Sequence, residues 1–346
     1  MRSNLPLSKG SLDSVSEQRR EANITAGDVV DGDGKAGIVL SARLGGGASG
    51  EVWRGKSPEG GLSVAVKIMI DPEVGGGCKV AVLVSQLVKD FAPEAKRFFC
   101  LIDRCCFMRG YECLIFPAYA MDLRRVLSSG RLFPLLAEQS LSIIWQLLSG
   151  VYYLHEIGIT HADLKPENIL LVDGDTVEVS RLEDDGIFKH KMVLRSCEIK
   201  IGDLDDARLP RQKPYFPAGT DGYRPPEVVA GLDWTNKVDI FAAGCVAYEL
   251  FTGNLLFPEQ GDHVLDSKGN SRTSREDTVK ASSWVRNPSF ASCYFLVHCK
   301  RQDGITDHLA VSFVKAATTR NYKRRPSANA LLHHKYFGGL SYIHRD

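Results

Sequence analysis

The sequence predicts an α+β fold in two lobes, a small β-rich lobe followed by a larger α-helical lobe. From Gly37 to about Ile70, short runs of alternating apolar residues are separated by glycines, which is typical of a strand meander. After Met121 the apolar spacing becomes helical, most clearly at 136–158. The chain has 346 residues and is 44% hydrophobic, which suffices for one large core or two modest cores.

The changes of pattern also predict domain boundaries. Residues 1–36 are polar, lack periodicity and are predicted to form a disordered or irregular leader. Two further stretches, 173–197 and 258–306, match neither a strand nor a helix and are predicted to be irregular loops in the large lobe. The remaining boundaries are 37–121 for the small lobe with its hinge, 122–340 for the large lobe, and 341–346 for a tail.

Within the small lobe, three strand patterns precede a helix and a fourth strand. Apolar residues alternate in each of the segments GIVLSARL, GEVWRGK and LSVAVKIMI, which favours strands. Residues 78–91 have helical length, and 112–116 read as a strand that runs into a proline.

The large lobe has its strongest helical pattern at 136–158. A broad apolar stripe ends at Gly158, as expected for a buried helix with a glycine stop. The segments NILLV and EIKIGDL that follow have the length and composition of short strands. Further helical patterns lie at 236–253, 307–319 and 327–334.

Composition excludes several classes of partner. Lys and Arg total 43 against 42 Asp and Glu, so there is no electrostatic reason to expect nucleic acid or an anionic membrane. Nine cysteines without CxxC pairs predict free or core-filling thiols rather than disulfides or zinc ligands. No run approaches the roughly 18 apolar residues of a membrane helix, and the predicted location is cytoplasmic or nuclear. Nothing in the sequence indicates an oligomeric state.

A glycine-rich segment opens the small lobe. The stretch LGGGASGEVWRG fits the pattern G-x-G-x-x-G-x-V, in which glycines let backbone N–H groups approach phosphate oxygens. By itself the pattern also fits an ordinary hairpin turn. Lys67, at the end of the apolar strand VAVK, would neutralise phosphates, although a lysine there also fits a side chain that extends to water.

The most informative stretch is ITHADLKPENILLV, which follows the buried helix and enters a strand. Asp163, Lys165 and Asn168 stand within six residues of one another. The carboxylate can accept a proton from an incoming hydroxyl, the ammonium can stabilise a transferring phosphoryl group, and the amide oxygen can bind Mg²⁺.

These motifs, with GDLDDA, GTDGYRPPE and DIFAAG in the same order, resemble the eukaryotic protein kinase superfamily across residues 38–340. The resemblance implies a bilobal protein-kinase fold with ATP and Mg²⁺ as cofactors and a protein Ser/Thr hydroxyl as acceptor. It implies Asp163 as catalytic base, Lys165 as the phosphate-contacting lysine, and Asn168 and Asp203 as magnesium ligands.

The resemblance implies further roles. The positions implied to bind ATP are Gly45, Gly47, Gly50, Val52, Ala65, Lys67, Phe116, Pro117, Tyr119 and Leu170. Phe116 would be the gatekeeper, and Pro117 and Tyr119 would face the base from the hinge. Those implied to hold the large lobe and its substrate loop are Thr220, Glu227, Asp239 and Arg325, with Glu227 paired to Arg325.

Within the superfamily, the chain looks like the CMGC group and its LAMMER and SR-protein kinases. The residues that suggest this are Ala162 in H-x-D, the long segment before EIKIGDL, and Arg224 in GYRPPEV. Because Ala162 replaces arginine and segment 203–227 shows no basic partner, activity is not expected to depend on a phosphate there, for example on Tyr215.

Two departures keep a second function open. No acid lies between Val74 and Lys89 to pair with Lys67, and the nearest polar candidate is Gln86. The D-F-G motif reads DLD, so that Asp205 replaces a glycine, at a cost of about 1 kcal/mol if the backbone is left-handed. Asp205 and its neighbour Asp206 either strengthen the binding of magnesium or point to solvent and stiffen the turn, and the second alternative is favoured because only Asp203 follows the apolar strand at the family position. The chain is therefore either an active Ser/Thr kinase or a pseudokinase that binds nucleotide or partners without efficient turnover.

Overall fold

The structure is a computed structural model that describes residues 23–32, 35–47, 50–56, 61, 63–70, 76–182, 188–210, 218–257 and 307–338. These residues divide into two compact units. The first contains the described residues before Gly76 together with Asp103–Phe116, and the second contains Gly76–Ile102 and the described residues from Pro117 onward. The predicted loop 258–306 and tail 341–346 lie outside the described residues.

The first unit is a six-stranded sheet in the order β1-β2-β3-β4-β6-β5. Its strands are β1 (Val29–Gly32), β2 (Lys35–Gly47), β3 (Gly50–Lys56), β4 (Ser63–Met69), β5 (Arg104–Met108) and β6 (Tyr111–Pro117). The predicted meander from 37 to 70 is confirmed. The prediction of an irregular leader up to residue 36 is wrong from Val29 onward, because Val30 is fully buried and pairs with Ile38. A four-residue strand is too short to show periodicity in the sequence.

Apolar side chains from all six strands form one buried core in this unit. Its members include Val30, Leu40, Trp53 and Ile68. Cys106 and Cys113 face each other across the β5–β6 pair within the same core, and both are buried. A hydrogen bond between the Cys113 and Cys106 thiols raises the pKa of Cys113 most, and burial raises it further. The cysteines whose side chains the structure describes are free thiols, as predicted: Cys100, Cys105, Cys106, Cys113, Cys197 and Cys245.

The second unit is mostly helical. Its helices are α1 (Gly76–Phe91), α2 (Leu123–Leu127), α3 (Ala137–Glu156), α4 (Pro226–Val229), α5 (Lys237–Thr252), α6 (Asp307–Ala317) and α7 (Ala328–Leu332). Short 3₁₀ helices span Pro93–Phe98, Pro166–Asn168 and Lys335–Phe337. Its strands are β7 (Met121–Asp122), β8 (Ile169–Leu171), β9 (Thr176–Leu182), β10 (Phe188–Leu194) and β11 (Ile199–Ile201).

Helix α5 forms the centre of the second unit. Every residue from Val238 to Phe251 is buried, which matches its apolar composition on all faces. It packs against α3 and α6, and a Cβ added at Gly244 would lie 2.7 Å from the Cβ of Ala317. That glycine therefore permits the close approach of α5 and α6.

The stretch 173–197, predicted to be irregular, contains an antiparallel hairpin of β9 and β10. Thr176 pairs with Leu194 and Leu182 pairs with Phe188. The amide Nε2 of Gln139 in α3 donates to the carbonyl oxygen of Leu194 at 2.8 Å. The prediction was wrong because most described side chains of this hairpin are exposed or half-buried, so charged and apolar residues do not alternate regularly.

Among the described residues, none of the helices combines the length and the apolar character needed to cross a membrane.

Candidate active site

The site is built around residues 159–168, which connect α3 to β8. Strand β11 runs antiparallel to β8, with Ile201 opposite Ile169. The end of β11 therefore returns to the start of β8, and the N–H of Gly202 donates to the carbonyl of Asn168 at 2.8 Å. This pairing brings Asp203, just after β11, next to Asn168, just before β8.

Asp163 lies at the centre of a hydrogen-bonded triangle. The ammonium Nζ of Lys165 lies 2.7 Å from Oδ2 of Asp163 and 2.8 Å from Oγ1 of Thr220. The hydroxyl of Thr220 donates to Oδ1 of Asp163 at 2.7 Å. The side chain of Asp163 is buried apart from a small exposed area. Both carboxylate oxygens are thus held in place, while their remaining lone pairs can accept from an incoming hydroxyl.

Asn168 completes the loop. Its Nδ2 donates to the backbone carbonyl of Asp163 at 2.8 Å and to the Asp163 carboxylate at 3.3 Å. Because the amide nitrogen faces Asp163, the amide oxygen is the end that would meet a cation.

The donor set fits Mg²⁺. An amide oxygen from Asn168 and a carboxylate from Asp203 are the hard oxygen ligands that this ion takes. Within the described ranges, no group of three or more His, Cys, Asp or Glu side chains forms a dedicated metal cage. That is compatible with Mg²⁺, which usually retains waters and binds through one or two carboxylates together with substrate phosphates.

Asp239 supports the loop from α5. Its Oδ1 accepts from the N–H of Ala162 at 2.9 Å, and its Oδ2 accepts from the N–H of His161 at 2.9 Å. The Nε2 of His155 lies 2.8 Å from the same oxygen. Ala162 has a φ of 68°, a left-handed conformation that costs about 1–2 kcal/mol for a residue with a Cβ. The bonds from buried Asp239 hold that conformation.

The DLD turn differs from the sequence-based expectation. The left-handed residue is Asp203, with a φ of 58°, whereas Asp205 is not among the residues with positive φ. The expected backbone penalty for replacing glycine at position 205 is therefore absent in this conformation. Leu204 is buried, as an apolar anchor should be.

Asp206 is exposed to solvent, as expected. It also lines a cavity together with Asp163, Lys165, Arg208 and Thr220, which was not expected. Partial burial is the main cause that raises the pKa of Asp206, and the negative charges of Asp163 and Asp203 raise it further. Much of the surface of Asp206 nevertheless remains accessible to solvent. The sequence offered three acids within four residues, Asp203, Asp205 and Asp206, but no means of telling which side chain would face the loop.

Two arginines of segment 203–227 lie near the site, and the prediction that activity does not depend on a phosphate in this segment stays a prediction. Arg208 lines the same cavity, because its backbone forms a bridge with Thr160 through hydrogen bonds of 2.8 and 3.0 Å. Arg224 donates from Nε and Nη2 to the carbonyl of Gly219, at 3.0 and 2.7 Å. Arg208 therefore shares a cavity with Thr220, and Arg224 binds the residue that precedes Thr220 in the chain.

The glycine-rich segment forms the β2–β3 hairpin of the first unit. Gly45 is paired with Val52, and Gly47 with Gly50. An added Cβ at Gly45 or Gly47 would meet no heavy atom within 4 Å, whereas one at Gly50 would lie 2.1 Å from the carbonyl oxygen of Ile68. Open space above the first two glycines suits the approach of a phosphate.

Lys67 lies on β4 directly opposite Val52. It is buried, which argues against a side chain that simply extends to water. Ala65 precedes it by two residues and so lies on the same face of the strand.

The other predicted ATP-binding residues are divided between the units. Phe116 ends the first unit on β6, while Pro117, Tyr119 and Leu170 belong to the second. Burial raises the pKa of the Tyr119 hydroxyl, with smaller contributions from Cys100 and Glu198.

Gln86 was the nearest polar candidate to pair with Lys67. In α1 it is exposed, and its Nε2 donates to both carboxylate oxygens of Asp90 at 2.9 Å. This pair within one helix gives no support to the predicted role of Gln86.

One network at the site was missed by the sequence reasoning. Arg124 of α2 donates from Nε to Glu167 at 2.8 Å, from Nη1 to Glu249, and from Nη2 to the hydroxyl of Tyr223 at 2.6 Å. Glu249 is 2% exposed. The sequence carried one signal for this network, which is Glu249 near the end of the apolar pattern at 236–253. A carboxylate buried in such a helix needs a partner.

Comparisons with known proteins agree with this architecture. The model of the family described as protein kinase domain matches residues 38–337. A crystal structure titled as the PF14_0431 kinase domain superposes with a TM-score of 0.67 and 22% sequence identity, covering 90% of this chain and 97% of that chain. The α+β kinase fold predicted from the sequence is confirmed.

Curated relatives are also kinases. The Caenorhabditis elegans protein named probable dual specificity protein kinase madd-3 is 33% identical over 224 residues, or 64% of this chain and 25% of that protein. The serine/threonine-protein kinase AFC2 of Arabidopsis thaliana is 37% identical over 156 residues, or 43% of this chain and 36% of that protein. The chain therefore spans only about a quarter to a third of the length of these relatives. With the family model covering nearly all of the described residues and the motifs in the expected order, this chain belongs to the protein kinase domain family.

Proposed function

We propose that this chain is an active protein kinase of CMGC type, which transfers the γ-phosphoryl group of ATP to serine and threonine hydroxyls of proteins. The observation that carries the proposal is the Asp163 carboxylate, held on both oxygens by Lys165 and Thr220. A general base can act only if its carboxylate is held within hydrogen-bonding reach of the acceptor hydroxyl, whatever its proton affinity. The bonds from Lys165 and Thr220 hold the Asp163 carboxylate in one orientation.

Each residue has a distinct part in the reaction. Asp163 accepts the proton of the acceptor hydroxyl, and Lys165 stabilises the negative charge on the transferring group. The open glycines of the β2–β3 hairpin and Lys67 bind the phosphates. Asn168 and Asp203 would hold Mg²⁺, which when bound neutralises charge on the phosphate oxygens. Asp239 keeps the loop in its left-handed conformation at Ala162.

A pseudokinase is the second candidate, because no acid lies between Val74 and Lys89. Two findings favour activity. The backbone at Asp205 needs no glycine, which removes one reason to regard the DLD turn as damaged. In addition, the relatives madd-3 and AFC2 are named as kinases.

The test compares the purified chain with Asp163→Asn, using radiolabelled ATP, Mg²⁺ and a generic basic protein. Loss of the base should lower incorporation by about 10²–10⁴-fold. The matched control is Asp233→Asn, which changes an exposed carboxylate outside the site and should retain activity. Equal incorporation by wild type and Asp163→Asn would overturn the proposal, and thermal shift with ATP and Mg²⁺ would then identify a nucleotide-binding pseudokinase. Phosphoamino-acid analysis decides whether tyrosine is also an acceptor.

A further inference from the structure

The last described segment of the chain carries charge of almost one sign. Residues 307–338 contain six lysines and arginines against one acid, Asp307. The whole chain is balanced, with 43 Lys and Arg against 42 Asp and Glu, so the excess in this segment is offset elsewhere. The overall balance therefore hides a local concentration of positive charge.

Five exposed side chains of this segment form a basic surface, which comprises Lys315, Arg320, Lys323, Arg324 and Lys335. The sixth cation, Arg325, is buried and paired with Glu227. None of the five exposed cations forms an ion pair with another residue that the structure describes. Their charge is therefore available to a partner.

Two lysines of the basic surface flank the contact between α6 and the 3₁₀ helix that ends the described chain. Nε2 of His334, the residue before Lys335, lies 3.2 Å from Oγ of Ser312 in α6. Lys315 follows Ser312 by three residues and therefore lies on the same side of the helix.

The other three cations lie in one turn after α6. The N–H of Arg324 donates to the carbonyl of Asn321 at 2.9 Å, so the chain turns within residues 320–324. The hydroxyl of Thr319 donates to the carbonyl of Lys315 at 3.1 Å, which places this turn directly beyond the end of α6. The basic surface therefore continues from Lys315 into the turn, and no acid intervenes.

The helix macrodipole explains only part of this concentration. Lys315 lies in the last turn of α6, where a positive charge is favourable. The effect fades beyond the last turn and does not extend over residues 320–324. Like charges at such short separation along the chain repel one another, and an anionic partner would relieve that repulsion.

The chemistry of the basic surface selects among anionic partners. Within the described residues 307–338 no large apolar side chain is exposed, so this surface has no group to insert into a membrane. Tyr322 is half-buried and its ring lies 6.0 Å from Nζ of Lys323, so it is no open platform for stacking nucleic-acid bases. An acidic polypeptide needs only cations spaced along a surface, and it is the partner that fits.

The basic surface is tied to the acceptor side of the catalytic site. Arg325, which follows Arg324, binds Glu227 of α4. Glu227 follows Thr220 by seven residues, so their Cα atoms are at most about 25 Å apart. A flexible linker of about 20 residues has a root-mean-square length close to that value.

We propose that the basic surface is a docking site for an acidic segment of the protein that the kinase phosphorylates, with a flexible linker between that segment and the acceptor residue. The inference rests on the proposed kinase function. Its consequence is that docking raises the local concentration of the acceptor hydroxyl at Asp163, which lowers KM and leaves kcat unchanged.

The experiment uses a serine peptide with a run of about eight Asp and Glu residues, joined to the acceptor by a Gly/Ser linker of about 20 residues. In the matched neutral peptide, Asn and Gln replace the acids. Steady-state kinetics are measured for the full chain, for Lys323→Gln/Arg324→Gln and for Arg54→Gln/Lys56→Gln. The last is the matched control, because it removes the same charge from two exposed side chains of β3 in the first unit. Fluorescence anisotropy of the labelled acidic run without a serine measures docking apart from catalysis.

We expect the wild type and the control variant to phosphorylate the acidic peptide with a KM about tenfold below that of the neutral peptide. Lys323→Gln/Arg324→Gln should raise the KM of the acidic peptide and weaken binding of the acidic run by about three- to tenfold, since each exposed charge pair contributes about two- to fivefold. Its KM for the neutral peptide should be that of the wild type. Added salt should weaken binding of the acidic run to the wild type.

Three results would overturn the inference. The first is an equal KM for both peptides with the wild type. The second is the same loss in both double variants, which would show a response to net charge alone. The third is a single-stranded RNA that displaces the acidic run at a lower concentration than the unlabelled run does, which would assign the surface to nucleic acid. Absence of turnover in every protein would overturn the kinase function, whereas anisotropy would still decide whether the acidic run docks.

Discussion

Arg325 and Glu227 form a buried bidentate ion pair although 98 residues separate them in the chain. Nη1 of Arg325 lies 2.8 Å from Oε1 of Glu227, and Nη2 lies 3.0 Å from Oε2. The two side chains are 0% and 3% exposed. Arg325 also donates to the backbone carbonyls of Thr319 and Lys237, so α4, α5 and the segment after α6 meet at one guanidinium.

Removing one partner of this pair should destabilise the second unit. Glu227→Ala leaves Arg325 buried without its carboxylate, and the free energy of unfolding should fall by about 3–5 kcal/mol. Urea denaturation measures the change. The control is Asp175→Ala, which breaks an exposed pair with Arg195 and should cost at most about 1 kcal/mol. A loss below that level for Glu227→Ala would show that water compensates the arginine.

The two glycines that close the β2–β3 hairpin should respond differently to alanine. Gly50→Ala places a Cβ 2.1 Å from the Ile68 carbonyl oxygen, so β3 or β4 must shift. We expect a loss of about 1–3 kcal/mol in stability. Gly47→Ala meets no atom within 4 Å and should leave the midpoint of thermal unfolding nearly unchanged. Equal destabilisation by both substitutions would contradict the hairpin geometry.

Asp205→Gly tests whether the DLD turn restrains activity. Because Asp205 has no positive φ, glycine relieves no strain, and it increases the freedom of the unfolded chain. We expect stability to fall by about 0.4–1 kcal/mol and phosphorylation to stay within about fivefold. Denaturation and steady-state kinetics supply the two measurements. A marked rise in activity would show that this acid acts as a brake.

Asp206 should make stability depend on pH. Its pKa is raised from the ordinary value of 3.8, so the folded state binds the proton more tightly than the unfolded state. Ionisation therefore lowers stability as pH rises above 3.8. In metal-free buffer, Asp206→Asn should raise the thermal midpoint at pH 7, and this gain should shrink as the pH falls towards 3.8. The control Asp233→Asn should show no such trend, and a gain that persists in acid would contradict the assignment.

Much of the fold could be predicted where residues repeat at a regular spacing. The pattern at 136–158 became α3, and that at 236–253 became α5. The β9–β10 hairpin was missed, because it is largely exposed and buries too few apolar residues to impose alternation on its sequence. Strand β1 was missed for a related reason, since it has only four residues.

By itself, the sequence determined the protein family and the segments that contain Asp163, Asn168 and Asp203, because the spacing of these residues within short motifs is a local property of the chain. Only the tertiary structure decided that Asp206 faces the catalytic loop, that position 203 rather than 205 is left-handed, and that Arg124 binds Glu249. The reason is physical: a side chain's direction and partner depend on which distant segments pack beside it. Arg124 and Glu249 are 125 residues apart, and no pattern along the chain records that contact.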